Sequence, residues 1–271
     1  MNKKPKVSVL MPAYNSQDYI SDAIESILSQ TYTDFEFVII DDCSTDDTWK
    51  IIKKYAKNDK RIKAFKNVKN SGVTVSLNNG LEKCSGDYIA RMDSDDVSLP
   101  KRLEKQVEVL ENGKADVVGT NIYFIDEQGK VFGKRKYEPV TGKIIKLESP
   151  LAHPTVVFKK ELVDKYGGYE PIFNSAEDYD LWLRFWQNNA KIKILNSYLL
   201  KYRQHRNTIK QTRTKKTIKT TIRVKLNAWK RYNFKLGVRG WTRLLMEAVV
   251  LILPKEIILR IFYFFKKKSN N

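Results

Sequence analysis

A chain of 271 residues with 42% hydrophobic and 30% charged residues can bury a full core, which excludes a disordered protein. Its net charge of +19 is unevenly placed: 20 of the 50 Lys and Arg, but two of the 31 Asp and Glu, lie from Lys201 onward, so a near-neutral body precedes a strongly basic tail. Two cysteines, Cys43 and Cys84, exclude a disulfide framework, lack any ligand neighbour in Cys-x-x-Cys spacing, and point to a reducing compartment.

The first two-thirds alternates strand and helix. The run Val7–Met11 stops at Pro12 and is shorter than the roughly 7–15 apolar residues of a signal-peptide core, so it reads as a strand and the chain is expected in the cytoplasm. Ile20, Ile24, Ile27 and Leu28 recur at helical spacing. Phe35–Ile40 is a β-rich run ending in Asp41-Asp42; Asp46 and Asp47 open a helix with Ile51, Ile52 and Tyr55 as its apolar stripe. A weaker strand over Arg61–Phe65, a helix over Ser76–Lys83, a strand over Asp87–Met92 and a helix over Pro100–Glu111 follow. Beyond Val117 the pattern is mixed, with TVVF after His153-Pro154, a helix from Asp178 to Gln187 and a strand near Lys191–Leu195.

Such repeats predict an α/β fold with a mostly parallel sheet. Ligands of these sheets bind beyond the carboxyl ends of the strands, so Asp42 and Asp93, each after a strand, are expected at one rim. Asp93-Ser94-Asp95-Asp96 sets carboxylates at i and i+2 on a tight loop, a spacing able to hold a divalent cation that neutralises a diphosphate. Taken alone, the same acids equally cap a helix, and Asp96 suits that role.

In order, the chain carries VSVLMPAYN (7–15), FEFVIIDDCSTDDT (35–48), NSGVTVSLNNGL (70–81), GDYIARMDSDD (86–96), HPTVVFKK (153–160) and AEDYDLWLR (176–184). This set resembles family 2 of the glycosyltransferases over roughly residues 5–205. The resemblance implies a single GT-A-type, Rossmann-like domain and a metal-dependent, inverting transfer of a hexosyl or N-acetylhexosaminyl group from a nucleotide sugar. Pro12, Ala13 and Tyr14 match the segment along the nucleotide base, Asp42 the acid that bonds the base, and Asn70 and Gly72 a nucleotide-side loop. Asp93 and Asp95 match the Asp-x-Asp pair, with Asp95 the direct ligand of Mg2+ or Mn2+ and Asp93 nearer the ribose or sugar. Asp178 matches the catalytic base, at a helix start whose dipole favours an ionised carboxylate. His205 lies where some members place a histidine near the metal. Leu77 stands where many members carry arginine, so that phosphate contact is either absent or replaced, with Arg91 the candidate for it. The plainer readings leave Asp42 as a turn cap, Tyr14 as core, Asp178 as an N-terminal helix acid and His153 as a structural loop residue or acceptor-side group.

Residues 206–243 hold no acid and thirteen lysines and arginines, twelve of them from Lys210 to Arg243. LLMEAVVLILP (244–254) and IILRIFYFF (257–265) follow, each short of the ~18 apolar residues of a spanning helix. The expected division is therefore a catalytic domain over 1–205 and a basic amphipathic helical tail over 206–271. The tail either lies on an anionic membrane surface, at roughly 1 kcal/mol of attraction per base, or packs on the domain as ordinary core helices. Nucleic acid is not expected as a partner, because contact with it needs no apolar segments. The expectation is a bacterial enzyme, peripheral on the inner face of the cell membrane. It would build capsule, exopolysaccharide or lipopolysaccharide on a glycan or lipid-linked glycan acceptor. A nucleotidyltransferase using the same rim and a nucleic-acid-binding protein with a degenerate domain are the rival readings.

Overall fold

The computed structural model describes residues 5–204, 215–232 and 234–252. All seven residues of β1 (Val7–Ala13) are buried, and so are all seven of β2 (Phe35–Asp41). Unbroken apolar runs belong to parallel strands covered on both faces. Alternation along the strand then sorts the side chains: Val7, Val9 and Met11 enter one core, and Leu10 enters the other.

Helices cover each face. α1 (Ile20–Leu28) buries Ile20, Ile24 and Ile27 of the stripe read from sequence, adds Ala23 to it, and leaves Leu28 partly buried. α2 (Thr48–Asn58) and α4 (Arg102–Glu111) join it through Ile52, Leu103 and Val107. On the opposite face lie α3 (Val73–Lys83), α6 (Lys160–Tyr166) and α7 (Glu177–Gln187), through Leu77, Leu162 and Trp182. A one-turn α5 (Gly142–Ile145) is tied to α7 by Tyr179 Oη, which donates to Ile145 O at 2.7 Å.

β3 (Ile62–Lys66) and β4 (Tyr88–Arg91) complete a parallel half in the order β3-β2-β1-β4. The sheet then becomes mixed. β8 (Val157–Lys159) is antiparallel to β4 and to β6 (Val117–Ile125), and β9 (Ile192–Arg203) is parallel to β6. The two-residue β5 (Val97–Ser98) closes the edge against β9, and β7 (Val131–Arg135) forms a hairpin with β6. The α/β fold with a mostly parallel sheet is thus as expected. Two elements are longer than their sequence signals. α3 starts at Val73 because Gly72, at φ 86°, turns the chain into it, and β9 runs on to Arg203.

Part of the basic tail packs on this body. Val224 and Ala228 of α8 (Lys215–Tyr232), with Phe234 and Leu236 after it, share the core that α7 lines. α9 (Gly237–Ile252) folds back on α8, where fully buried Lys225 donates from Nζ to Glu247 at 2.8 and 2.9 Å. Removing the carboxylate strands a buried cation. Glu247→Ala is therefore expected to lower stability by about 3–5 kcal/mol, read as a fall in the urea midpoint; an unchanged midpoint contradicts this role for the pair.

Candidate active site

β1, β2 and β4 run parallel and end at one rim, where the chain turns sharply: Asn15 and Cys43 sit in the left-handed region at φ 47° and 61°. A cleft of about 320 Å³ opens there. Pro12, Ala13, Tyr14, Asp42, Asn70, Gly72 and Asp93, seven of the residues singled out from sequence, line it with Val73, Ser76 and Ser94. Tyr14 is 45% exposed, so its ring is a surface rather than core. Asp42 is buried and holds the loop that forms one wall. Its Oδ1 accepts from Asn67 Nδ2 at 2.8 Å and from Ser71 N at 3.0 Å, and its Oδ2 accepts from Gly72 N at 2.7 Å. A carboxylate has about four acceptor positions, so one is left toward the cleft.

Asp93, Asp95 and Asp96 bring one oxygen each to within 4.8 Å of one another. Asp96 does not cap α4, whose N-cap is Lys101 with no side-chain bond. Its Oδ1 accepts from Arg203 N at 2.8 Å, and its buried Oδ2 has no hydrogen-bond partner among the described residues. Burial, followed by the charges of Asp93 and Asp95, holds the Asp96 carboxyl well above its ordinary 3.8. Three hard oxygen ligands with one orphaned oxygen fit a divalent cation, which would reverse that electrostatic cost.

Three arginines surround the cluster. Arg203, at the end of β9, donates from Nε to Asp95 O at 2.7 Å and from Nη1 to Asp126 O and Glu127 O, so it fixes the acidic loop through its backbone. Arg102 is fully buried and donates from Nη2 to Arg91 O at 2.6 Å; burial, then the charge of Arg91, pushes its guanidinium down to about 9. Arg91 is 3% exposed and ion-paired with Asp93, and its Nε has no hydrogen-bond partner among the described residues. It is not among the residues that line the cleft and reaches it through its pair with Asp93. Leu77 is fully buried core.

Asp178 lies in the first turn of α7, after Ser175 at φ 86°, whose N–H donates to Glu177 Oε2 at 2.8 Å. Its own Oδ2 accepts from Ser149 Oγ at 3.1 Å. Burial, then the neighbouring Glu177, pushes its carboxyl up to about 7, against the opposing Tyr179 N–H, Ser149 and Arg91. Desolvation therefore outweighs the helix N-terminus that was expected to keep this group readily ionised. Asp178 and Asp95 are not among the cleft-lining residues. Asp95 joins the cleft through the acid cluster, and Asp178 lies near enough for the Arg91 charge to lower its pKa, as the smallest of its named influences. Asn174, just before α7, completes the rim: a Cβ on Gly72 would stand 3.6 Å from its Nδ2.

His153 serves packing. Its Nε2 is 2.9 Å from Tyr169 Oη, its ring meets Trp182 edge-on at 6.0 Å, and burial followed by Arg91 keeps its pKa well below 6.5. His205 lies outside the described residues.

The profile described as glycosyl transferase family 2 matches residues 8–167. The uncharacterized glycosyltransferase MJ1057 of Methanocaldococcus jannaschii is 36% identical over 98% of this chain and 96% of its own. The chain belongs to glycosyl transferase family 2. The O-antigen biosynthesis glycosyltransferase WbnJ of Escherichia coli is 41% identical to this family 2 enzyme over 73% of the chain and 80% of its own. S. aureus TarS, solved with UDP-GlcNAc, superposes with a TM-score of 0.68 over 91% of this chain and 80% of the TarS chain. At 21% identity that likeness concerns the fold, and the family 2 chain spans 40% of a longer TarS chain.

Sequence reasoning missed Arg203 and offered Asp96 only the plainer role of a cap. The signal for Asp96 was its place as the third acid of the loop; Arg203 carried none, because its partners are backbone carbonyls far away in sequence. A second cavity of about 530 Å³ opens at the opposite ends of the same strands, beside Lys6, Gly86, Lys159 and Lys160. Its lysines are already paired, with Asp87, Asp116 and Asp164. Neither the acid cluster nor Asp178 borders it.

Proposed function

We propose that this family 2 glycosyltransferase moves a sugar from a nucleotide-diphosphate donor to an acceptor hydroxyl with inversion at the anomeric carbon. The observation that carries the reading is Asp93, which belongs both to the nucleotide-sized cleft and to the acid cluster. The exposed Tyr14 ring offers a face to the base, and Asp42 offers its remaining acceptor position to a base N–H. Pro12, Ala13, Asn70 and Gly72 shape the walls. Asp93, Asp95 and Asp96 would hold Mg2+ or Mn2+, with Asp93 nearer the ribose or sugar and His205 the further ligand that the family resemblance implies. When bound, the cation neutralises the departing diphosphate.

Asp178 accepts the proton of the acceptor hydroxyl as the attack develops. A carboxyl poised at about 7 is ionised in about half the molecules at neutral pH and is a far better proton acceptor than an ordinary aspartate. Arg91 orients Asp93 through their ion pair and tempers the pKa of Asp178. A base and a leaving group on opposite faces of the sugar give in-line displacement, hence inversion.

The likeness to WbnJ, named for O-antigen biosynthesis, and to TarS, solved with UDP-GlcNAc, supports a hexosyl or N-acetylhexosaminyl donor and a cell-surface polysaccharide as product. The acceptor is a glycan or lipid-linked glycan. Residues 1–205 carry the chemistry, and 206–271 hold the enzyme to the anionic inner face of the membrane, with no nucleic acid as partner. A panel of sugar nucleotides tests the reading: one of them is hydrolysed slowly with Mn2+ and is spared in excess chelator. Hydrolysis of none, or release of diphosphate from a nucleoside triphosphate instead, overturns it.

A further inference from the structure

α9 carries apolar side chains on its outer side as well as its inner one. The inner side carries Gly240, Leu244 packed against the core, and the carboxylate of Glu247, which meets the fully buried Lys225 of α8. Its outer side carries Val238, Trp241, Leu245, Val249 and Ile252, spaced i, i+3, i+7, i+11 and i+14 and exposed by 81, 39, 64, 54 and 83%. A helix facing water places its polar residues outward and its apolar stripe inward. Here the ion pair is inside and an apolar stripe lies outside, which a water-facing helix does not need and an apolar environment rewards. The Trp241 ring packs edge-on against Trp229 of α8 at 5.5 Å, so two partly exposed indoles stand together beside the stripe. Exposed Arg239 lies on α9 next to Val238, exposed Lys235 lies two residues before the helix, and the stripe itself holds no charge. Among the described residues no helix is long and apolar enough to cross a membrane.

We propose that the outer face of α9, with Trp229 and Trp241 at its border, is the surface that seats this enzyme on an anionic lipid bilayer, lying in the interface rather than through it. The proposal rests on the membrane location given above and names the residues that produce it. Indoles favour the headgroup boundary, aliphatic side chains go below it, and cations beside the stripe meet anionic headgroups. The charge pattern selects lipid over a second copy of the chain: the flanks of two such faces would bring like charges together. α8 is anchored in the core by Val224 and Ala228, so seating α9 fixes the whole body against the surface.

Co-sedimentation of the full chain with vesicles tests this. Expected is binding to vesicles rich in phosphatidylglycerol, weaker by about fivefold for each of Arg239→Gln and Lys235→Gln, and little binding to pure phosphatidylcholine. The triple variant Trp241→Ser, Leu245→Ser, Val249→Ser should lose on the order of 10²-fold or more in partitioning. Because these side chains lie outside the donor cleft, donor hydrolysis should remain that of the parent, with only a small fall in thermal midpoint from the lost Trp229–Trp241 pair. If the parent ignores phosphatidylglycerol vesicles, the membrane location itself falls. If the parent binds and the triple variant binds equally, only the assignment to α9 falls. A parent that dimerises through this face and does not partition, with the triple variant monomeric, also overturns it.

Discussion

Asp178→Asn lowers sugar transfer by about 10²–10⁴-fold and leaves donor affinity unchanged. The substitution keeps an oxygen that accepts from Ser149 Oγ, so the first turn of α7 holds its shape. What disappears is the proton acceptor. Near-parental transfer by this variant removes Asp178 as the base. The same carboxyl sets the pH dependence of the parent. Burial and Glu177 hold it at about 7, so kcat/KM should fall below about pH 7 as the base becomes protonated. Stability runs the other way. The folded pKa lies above the ordinary 3.8, so the stabilisation from holding that proton is complete below 3.8 and is lost as pH rises through about 7. Asp178→Asn should therefore melt above the parent at pH 8 and close to it at pH 4. Identical melting curves at both pH values would contradict the desolvated setting of this partly buried group.

Asp95→Ala is expected to remove metal-dependent turnover by on the order of 10³-fold or more, the scale of a lost cation at a departing diphosphate. The fold should survive. Arg203 holds Asp95 by its backbone carbonyl at 2.7 Å, which alanine retains, and β5 stays paired with β9 just beyond the loop. The measurement is turnover against Mn2+ concentration, with circular dichroism as the check on folding. Transfer that persists in excess chelator, in parent or variant, contradicts the role given to the acid cluster.

Both predictions concern residues whose roles come from the resemblance to family 2, while the frame that carries them is legible locally. VSVLMPA and FEFVIID are continuous apolar runs that end in turn residues and acids, so the strands, the rim and the place of Asp42 and Asp93 follow from topology. The stripe of α1 is equally plain. Less was visible where distant segments meet. NSYLLKYR has no clean alternation, so the extension of β9 to Arg203, and hence the clamp on the acidic loop, could not be read. The raised pKa of Asp178 depends on burial and on Glu177, with Ser149 29 residues away, and no helix-start rule includes that desolvation. The apolar segment beginning at Leu244 was evident. Its orientation was not, because the pairing of Glu247 with Lys225 is a contact between two helices.

The most direct measurement is diffraction from crystals grown with a UDP-sugar and Mn2+, using the anomalous signal of manganese. The predicted map places manganese among Asp93, Asp95 and Asp96, with the nucleotide lying against Tyr14 and Asp42. Manganese bound elsewhere, or the nucleotide in the opposite cavity beside Lys6 and Lys159, would contradict a donor site built at the carboxyl ends of β1, β2 and β4.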